Sequence, residues 1–292
     1  MHVLVVGAGR PLGAQIALSL LKAGHRVTAT RHRRRNFDAV LEAAGAELAS
    51  LDLRDLEAVD ALAPGLDAAI LVPILSLSGP AAQRLGENGL SRGVVFSSNN
   101  VSVAPEAPVY QELAKAEAAL LATAPDWAVL RPTMIYGHLG SDALAGLLRR
   151  VASAKFLPIP GSGRALQQPL HIDDLTRLSC ALATGEWRGR GVLPVGGPEV
   201  LSQADLLRAV CEALGRTPII MRLPASPARL IARLADGLGV RLPLDRHQLA
   251  RINRDKHVQE PAGIPEGLLP TTDFGDALRD MARRLNLIPP DR

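Results

Sequence analysis

The stretch HVLVVGAGRPLG, His2 to Gly13, decides how this chain is read. Val3 to Val6 form a short apolar run suited to a buried strand, and Gly7, Gly9 and Gly13 follow it. Pro11 then opens an apolar-rich helical pattern that runs to about Ala23 and stops at Gly24. Glycines let a backbone approach a bound group closely, while the free amides and the dipole at a helix start favour negative charge. Pro11 fits the first helical turn because its missing N–H needs no partner there. Strand, glycine turn and helix in this order read as a cradle for the pyrophosphate of a dinucleotide, made by Gly7, Gly9, Arg10, Pro11, Leu12 and Gly13.

The residues downstream repeat the alternation. Apolar runs at Arg26–Thr30, Glu47–Leu51, Ala68–Val72, Gly93–Ser97 and Trp127–Arg131 read as five more strands, most of them separated by helical patterns. Strand and helix alternating at this spacing predict an α/β fold with a doubly wound parallel sheet, whose ligands bind at the carboxyl ends of the strands. After about Gly137 the pattern loosens into helices, proline-rich loops such as LPIPGSG, and one more strand near Val192–Val195. We therefore expect a dinucleotide-binding domain over 1–137, with returning segments near 168–180 and 191–197. A smaller, discontinuous substrate-binding region is expected over 138–167 and 198–292.

The remainder of the nucleotide site follows from the strand ends. A carboxylate closing the second strand would accept hydrogen bonds from the ribose hydroxyls of NAD, but here that strand ends in Thr30 and Arg31, with no acid until Asp38. Guanidinium groups bind a 2′-phosphate in a forked geometry, so the expected cofactor is NADP(H), with NAD(H) as the alternative. Its phosphate would meet Arg31 and one or more of Arg33, Arg34 and Arg35, with Arg10 as a further contact. Asp52 and Leu53 follow the third strand, where an adenine edge rests, and Val72 and Pro73 end the fourth, beside the adenosine ribose.

Composition narrows the class without choosing the function. Of 292 residues, 47% are hydrophobic and 21% charged, which is the balance of a globular chain rather than a disordered one. The net charge of +4 comes with only four lysines (Lys22, Lys115, Lys155 and Lys256) among 33 basic residues, a broad arginine bias more than a binding tract. Aromatic residues make up 3%, too few for a base-stacking platform, so nucleic acid is not expected as a partner. Cys180 and Cys211 cannot build a disulfide framework or a four-ligand zinc site, and the seven histidines show no metal-ligand spacing. The longest apolar stretch, near Leu66–Leu77, is broken by Asp67 and Pro73 and falls short of the ~20 residues of a membrane span. With no basic leader at the N-terminus, a cytoplasmic protein is expected.

Longer motifs carry a resemblance. WAVLRPTMIYG, Trp127 to Gly137, GSGRALQQPLHIDDL, Gly161 to Leu175, VGGPEVLSQADLLRAV after the last strand, and RINRDK, Arg251 to Lys256, together resemble the short-chain dehydrogenase/reductase superfamily. The likeness is to its extended or atypical branch, of the NAD-dependent epimerase/dehydratase type. It implies a Rossmann-type sheet and places Pro132, Thr133 and Met134 beside the nicotinamide. It implies an enzyme, an oxidoreductase or an isomerase of the epimerase kind, moving hydride between the cofactor and a carbinol or ketone carbon of a sugar-like or other hydroxyl/keto metabolite. The resemblance leaves room for a homodimer.

The superfamily's Tyr-x-x-x-Lys pair is represented here by Tyr110 and Lys115, which are five residues apart rather than four. On a regular helix five residues advance about 500°, which leaves two side chains about 140° apart, so they share a face only if Tyr110 lies in an irregular turn after Pro108. The resemblance assigns the substrate oxygen to Ser98 or Asn99, and the cofactor ribose to Lys115. Where nucleotide-sugar members carry an arginine four residues before the histidine matching His171, this chain has Gln167, with Arg164 nearby. Asp173 and Asp174 are expected to cap a helix starting near Leu175 and to brace the domain junction. Arg229 and Arg233 read as a solvated face, and Leu206–Leu214 as a core helix. The altered Tyr–Lys spacing motivates a second reading, a non-catalytic NADPH-binding scaffold or sensor subunit like the atypical members in respiratory complexes. A third keeps tightly held NAD for epimerisation without net redox change.

Overall fold

A computed structural model describes residues 1–32, 37–139, 143–223, 253–258 and 263–289. Arg33, Arg34, Arg35, Arg229 and Arg233, singled out above, lie outside the described residues. The first elements are β1 (His2–Val6), α1 (Pro11–Lys22), β2 (Arg26–Arg31), α2 (Asp38–Ala43), β3 (Glu47–Ser50), α3 (Leu56–Leu62), β4 (Ala68–Ile74) and α4 (Leu75–Glu87). They are followed by β5 (Gly93–Phe96), α5 (Asn100–Val103), α6 (Pro108–Thr123), β6 (Ala128–Pro132), β7 (Met134–Tyr136), α7 (Ala143–Ser153), β8 (Phe156–Pro160), β9 (Leu166–Gln167) and β10 (Pro169–His171). Then come α8 (Ile172–Thr184), β11 (Gly191–Val195), β12 (Leu201–Ser202), α9 (Gln203–Ala213), β13 (Ile219–Leu223) and, last among the described residues, α10 (Phe274–Arg284).

The chain divides into two compact units. One comprises Met1–Pro132, Ile172–Val195 and Val258–Pro270, and the other Thr133–His171, Gly196–His257 and Thr271–Arg292. Residues 133–137 and 168–171 therefore fall in the second unit, and Val258–Pro270 in the first.

The first unit is the predicted α/β fold. Seven parallel strands run in the order β11-β6-β5-β4-β1-β2-β3, with β1 between β2 and β4. Val3, Leu4, Val5 and Val6 are buried on both faces of the sheet, as continuous apolar runs in parallel sheets are. Helices α1 and α8 pack together, and α4 packs on α3 and α6. β4 runs past Val72 to Ile74, with a register shift between Leu71 and Ile74 that accommodates Pro73, which has no N–H to give the ladder. Trp127 lies just before β6, fully buried, with its indole N–H donating to the Leu90 carbonyl at 2.9 Å.

The second unit has its own core, in which Leu144, Leu148 and Val151 of α7, Leu206, Leu207 and Val210 of α9, and Leu278 and Met281 of α10 are buried together. Leu206–Leu214 is accordingly a core helix with one exit residue, as expected. LPIP is not a loop: Leu157–Pro160 belongs to β8, which pairs with β13 in parallel. The prolines are tolerated because a strand in a two-stranded sheet has one edge that needs no ladder donors.

Candidate active site

The glycine turn takes the shape its sequence dictates. Gly7 has φ of +88°, in the left-handed region that favours glycine, and a Cβ there would stand 3.0 Å from the Pro73 ring. The turn is closed by Gly7 and Ala8 N–H donating to the Thr30 carbonyl at 3.1 and 2.9 Å. Gly13 sits one helical turn in, where a Cβ would lie 2.4 Å from the Gly7 carbonyl oxygen, so the first turn of α1 packs directly on the loop. Pro11 is at the start of α1, with Leu12 and Gly13 after it. No side chain caps this end and no acidic residue stands in its first turn, which leaves the first-turn amides available to an outside anion.

Beside the turn lies a cavity of about 570 Å³ in the first unit. Gly7, Gly9 and Arg10 line one side, Asp52 and Leu53 the next, and Val72 and Pro73 the third, so the three predicted strand ends converge on one space. Thr30, fully buried on its wall, has a hydroxyl oxygen with no partner in the protein. Uncapped amides, a buried hydroxyl without a partner and apolar walls at Leu51, Leu53 and Val72 fit a ligand with an anionic linker and a flat apolar end. A dinucleotide has that chemistry.

The charges around this space differ from the expected set. Arg31 is 14% exposed and already held, its Nε donating to Asp38 at 2.5 Å and its Nη1 to the Ala49 carbonyl at 3.2 Å. Asp38, seven residues after Arg31 and the first residue of α2, pairs with the arginine that closes β2. Two basic residues missed at the sequence level join Arg10 and Arg31 on the cavity wall: His32, whose Nδ1 is 4.0 Å from Asp52, and Arg54. The position of Arg54 two residues after Asp52 was a usable signal, because the third strand end had already been assigned to the cavity.

Around the carboxyl end of β5 the structure departs further from expectation. Tyr110 is the third residue of a continuous helix, not part of an irregular turn, so the spacing of five holds its geometric consequence. Leu113, Glu117 and Leu120 mark the buried face of α6. Tyr110 flanks that face and packs on the core, whereas the Lys115 side chain is 74% exposed and its ammonium donates to Glu112 at 3.2 Å. The structure does not bring Tyr110 and Lys115 together.

The same end of the sheet instead holds a buried polar network. The Ser97 hydroxyl donates to Glu117, whose carboxylate receives Arg131 Nε at 2.9 Å and Nη2 through its other oxygen. Arg131 Nη1 completes the network by donating to the Ser102 hydroxyl at 3.1 Å. Ser98 is also occupied, because its oxygen accepts the backbone and side-chain N–H groups of Asn100 at 3.2 Å. Asn99 is different: it is buried, its amide N–H donates to the Pro132 carbonyl at 3.2 Å, and its Nδ2 has no partner. Pro132 ends β6, while Thr133 and Met134 belong to the second unit, where the Thr133 hydroxyl donates to the Gln168 carbonyl.

Asp173 and Asp174 do not cap a helix at Leu175. α8 begins at Ile172, which puts both in its first turn, where carboxylates favour the helix dipole. Gln15 donates to Asp173, and the fully buried Asp174 pairs with Arg177 at 2.8 Å. Gln167 is buried in β9, and His171 meets Tyr136 edge to face at 5.0 Å, with Phe274 on Tyr136 at 5.3 Å. Both cysteines are free, and burial pushes the Cys180 thiol up to about 12. Among the described residues no cluster of His, Cys, Asp and Glu could hold a metal ion, and no helix is long and apolar enough to cross a membrane.

No family model matches the chain. Over 156 residues it is 24% identical to the mitochondrial NADH dehydrogenase [ubiquinone] 1 alpha subcomplex subunit 9 of Arabidopsis thaliana, a match spanning 53% of this chain and 39% of that protein. Among solved structures, dTDP-glucose 4,6-dehydratase from Bacillus anthracis in complex with NAD superposes with a TM-score of 0.72 at 14% identity, covering 98% of this chain and 96% of that one. UDP-glucose 4-epimerase from Thermotoga maritima with UDP-glucose gives 0.72 at 14% identity, covering 98% and 99%. The dTDP-glucose 4,6-dehydratase DesIV from Streptomyces venezuelae with NAD bound gives 0.73 at 18%, covering 98% and 97%. The chain thus has the fold of the extended short-chain dehydrogenase/reductases of the epimerase/dehydratase type, the fold its motifs resemble.

Proposed function

We propose that this chain binds a nicotinamide dinucleotide, NADP(H) before NAD(H), and acts as an oxidoreductase or epimerase/dehydratase-type enzyme on a sugar-like or other hydroxyl/keto metabolite. The observation that carries the reading is the cavity beside the uncapped start of α1, lined by Arg10, Arg31, His32, Asp52 and Arg54. The first-turn amides and Gly9 would hold the pyrophosphate, the Thr30 hydroxyl and Asp52 the adenosine half, and Arg10 with Arg54 and His32 a 2′-phosphate. The bound cofactor would supply hydride. Asn99, with its buried donor, would hold the substrate oxygen, and Pro132, Thr133 and Met134 would flank the nicotinamide. The NAD in the dehydratase structures and the sugar nucleotide in the epimerase structure favour this cofactor class and a sugar-like substrate.

A specific observation favours a second reading. Lys115 faces solvent and pairs with Glu112, so it does not form with Tyr110 the pair that the resemblance implies, and a non-catalytic NADPH-binding scaffold or sensor subunit fits that arrangement. The partial match to a respiratory-complex subunit is compatible with it.

Calorimetric titration with NADPH and NADH in parallel, on protein checked for cofactor already bound, tests the first claim. NADPH should bind at least about ten-fold tighter than NADH, a difference of about 1.4 kcal/mol, and Arg10→Ala should narrow the gap. Equal or tighter NADH binding would remove the NADP(H) preference. Nicotinamide absorbance followed with a panel of sugar nucleotides and free sugars then separates the two readings: turnover supports the enzyme, while tight binding without turnover supports the scaffold.

A further inference from the structure

A second concave region lies away from the dinucleotide cavity, along the packed helices α1 and α8, with a volume of about 520 Å³. It is independent of the reading above. Asp173, Thr176, Arg177 and Cys180 recur at helical spacing on one face of α8 and line it, with Gln15 and Ser19 of α1 opposite.

Two polar groups in it are unmatched. The Thr176 hydroxyl belongs to a residue only 4% exposed and has no partner, and Arg177 Nε is a buried donor without an acceptor. Buried polar groups are almost always hydrogen-bonded, so two together on one wall call for a ligand that supplies an acceptor. Its charge can be read from the surroundings. The Arg177 guanidinium is already balanced by Asp174 at 2.8 Å, with its Nη2 also donating to the Leu269 carbonyl at 2.8 Å. Asp173 and Glu186 add negative charge to the lining, with His25 the other ionisable base there. That balance repels a multiply charged anion such as phosphate. It suits a small molecule whose acceptor is accompanied by its own cationic group.

We propose that this groove is a second small-molecule site that takes a free amino acid or a closely similar zwitterion, its carboxylate on Thr176 Oγ1 and Arg177 Nε and its ammonium on Asp173, whose carboxylate also receives the Gln15 amide. Ser19, Thr184 and His25 along the rest of the lining leave room for a polar side chain.

The test is calorimetric titration of the full chain with L-serine and L-glutamine, with acetate and methylammonium as half-ligands. Saturable binding of an amino acid with a Kd of about 1 mM or tighter, against none for either half-ligand, is the expected result. Thr176→Val, which keeps the volume and removes the hydroxyl, should weaken it about ten-fold or more, as loss of a hydrogen bond to a charged group does. Asp173→Asn at the exposed rim should do the same, and whichever variant keeps the parent melting temperature suffices. NADPH titrations of both variants should match the parent. No saturation by either amino acid, acetate binding as well as serine, or full affinity in both variants would overturn the proposal.

Discussion

The mouth of the cavity beside the glycine turn and the carboxyl end of β5 belong to the same unit, yet they are built from different materials. The mouth is made of backbone: a positive-φ glycine, a second glycine packed on the first and a helix start left uncapped. The β5 end is made of side chains that answer one another, Ser97 to Glu117 to Arg131 to Ser102. Backbone cradles leave donors for a ligand, whereas a closed ion-pair network spends its donors on holding α6, β5 and β6 together. At that end, among the described residues, Asn99 Nδ2 is a buried donor without a partner.

The largest expected effect lies in the network. Glu117→Leu strands the 16%-exposed Arg131 guanidinium and should cost about 3–5 kcal/mol in denaturant unfolding, while Glu117→Leu combined with Arg131→Met should recover much of it. If the single variant is as stable as the parent, the network is not what fastens α6. Next comes the mouth. Gly13→Ala drives a methyl against the Gly7 carbonyl, so we expect a loss of about 1–3 kcal/mol and a larger proportional loss of NADPH affinity. Unchanged nucleotide binding would separate the cavity from the glycine turn.

Smaller effects sharpen the contrast. Lys115→Met should leave unfolding within about 0.5 kcal/mol of the parent and NADPH affinity unchanged, since the ammonium is in solvent. A ten-fold rise in Kd would mean that α6 does present this lysine to the cofactor. Least of all should be the surface pair of Asp60 and Arg84. The Arg84 guanidinium, aided by the Asn88 amide, lowers the Asp60 carboxyl from 3.8 to about 2. A carboxylate held down in the folded state contributes stability that is complete above the unfolded value of 3.8 and is lost as pH falls through about 2. Asp60→Asn should therefore flatten the acid limb of the stability curve between those two values, a change that parallel acid titrations monitored by circular dichroism would detect.

What could be read in advance follows the same division. Strand, turn and helix at His2–Gly13 are local, and so are the six strand positions of the first half, because a buried parallel strand is written as a contiguous apolar run. LPIP was read as a loop because proline argues against a central strand, and nothing local reveals that β8 has only one partner. The Arg31–Asp38 pair was missed because Asp38 was judged by its distance along the chain from β2, while the fold sets the start of α2 beside the end of β2. Glu117 carried no signal at all. It is separated from Ser97 by 20 residues and from Arg131 by 14, and as one more glutamate in an alanine-rich helix it resembles a solvated residue until the tertiary fold buries it.

The strand order has a consequence for how the chain is made. β11 pairs outside β6, and α8 packs on α1, yet both are synthesised only after the whole of Thr133–His171, which belongs to the other unit. During that interval the growing first unit presents β6 as an open edge and leaves one flank of α1 without its neighbour, the kind of surface on which partly made sheets aggregate. Truncation after Pro132 would make that interval permanent, so the first unit of this protein is not a module that can be lifted out by cutting where its sixth strand ends.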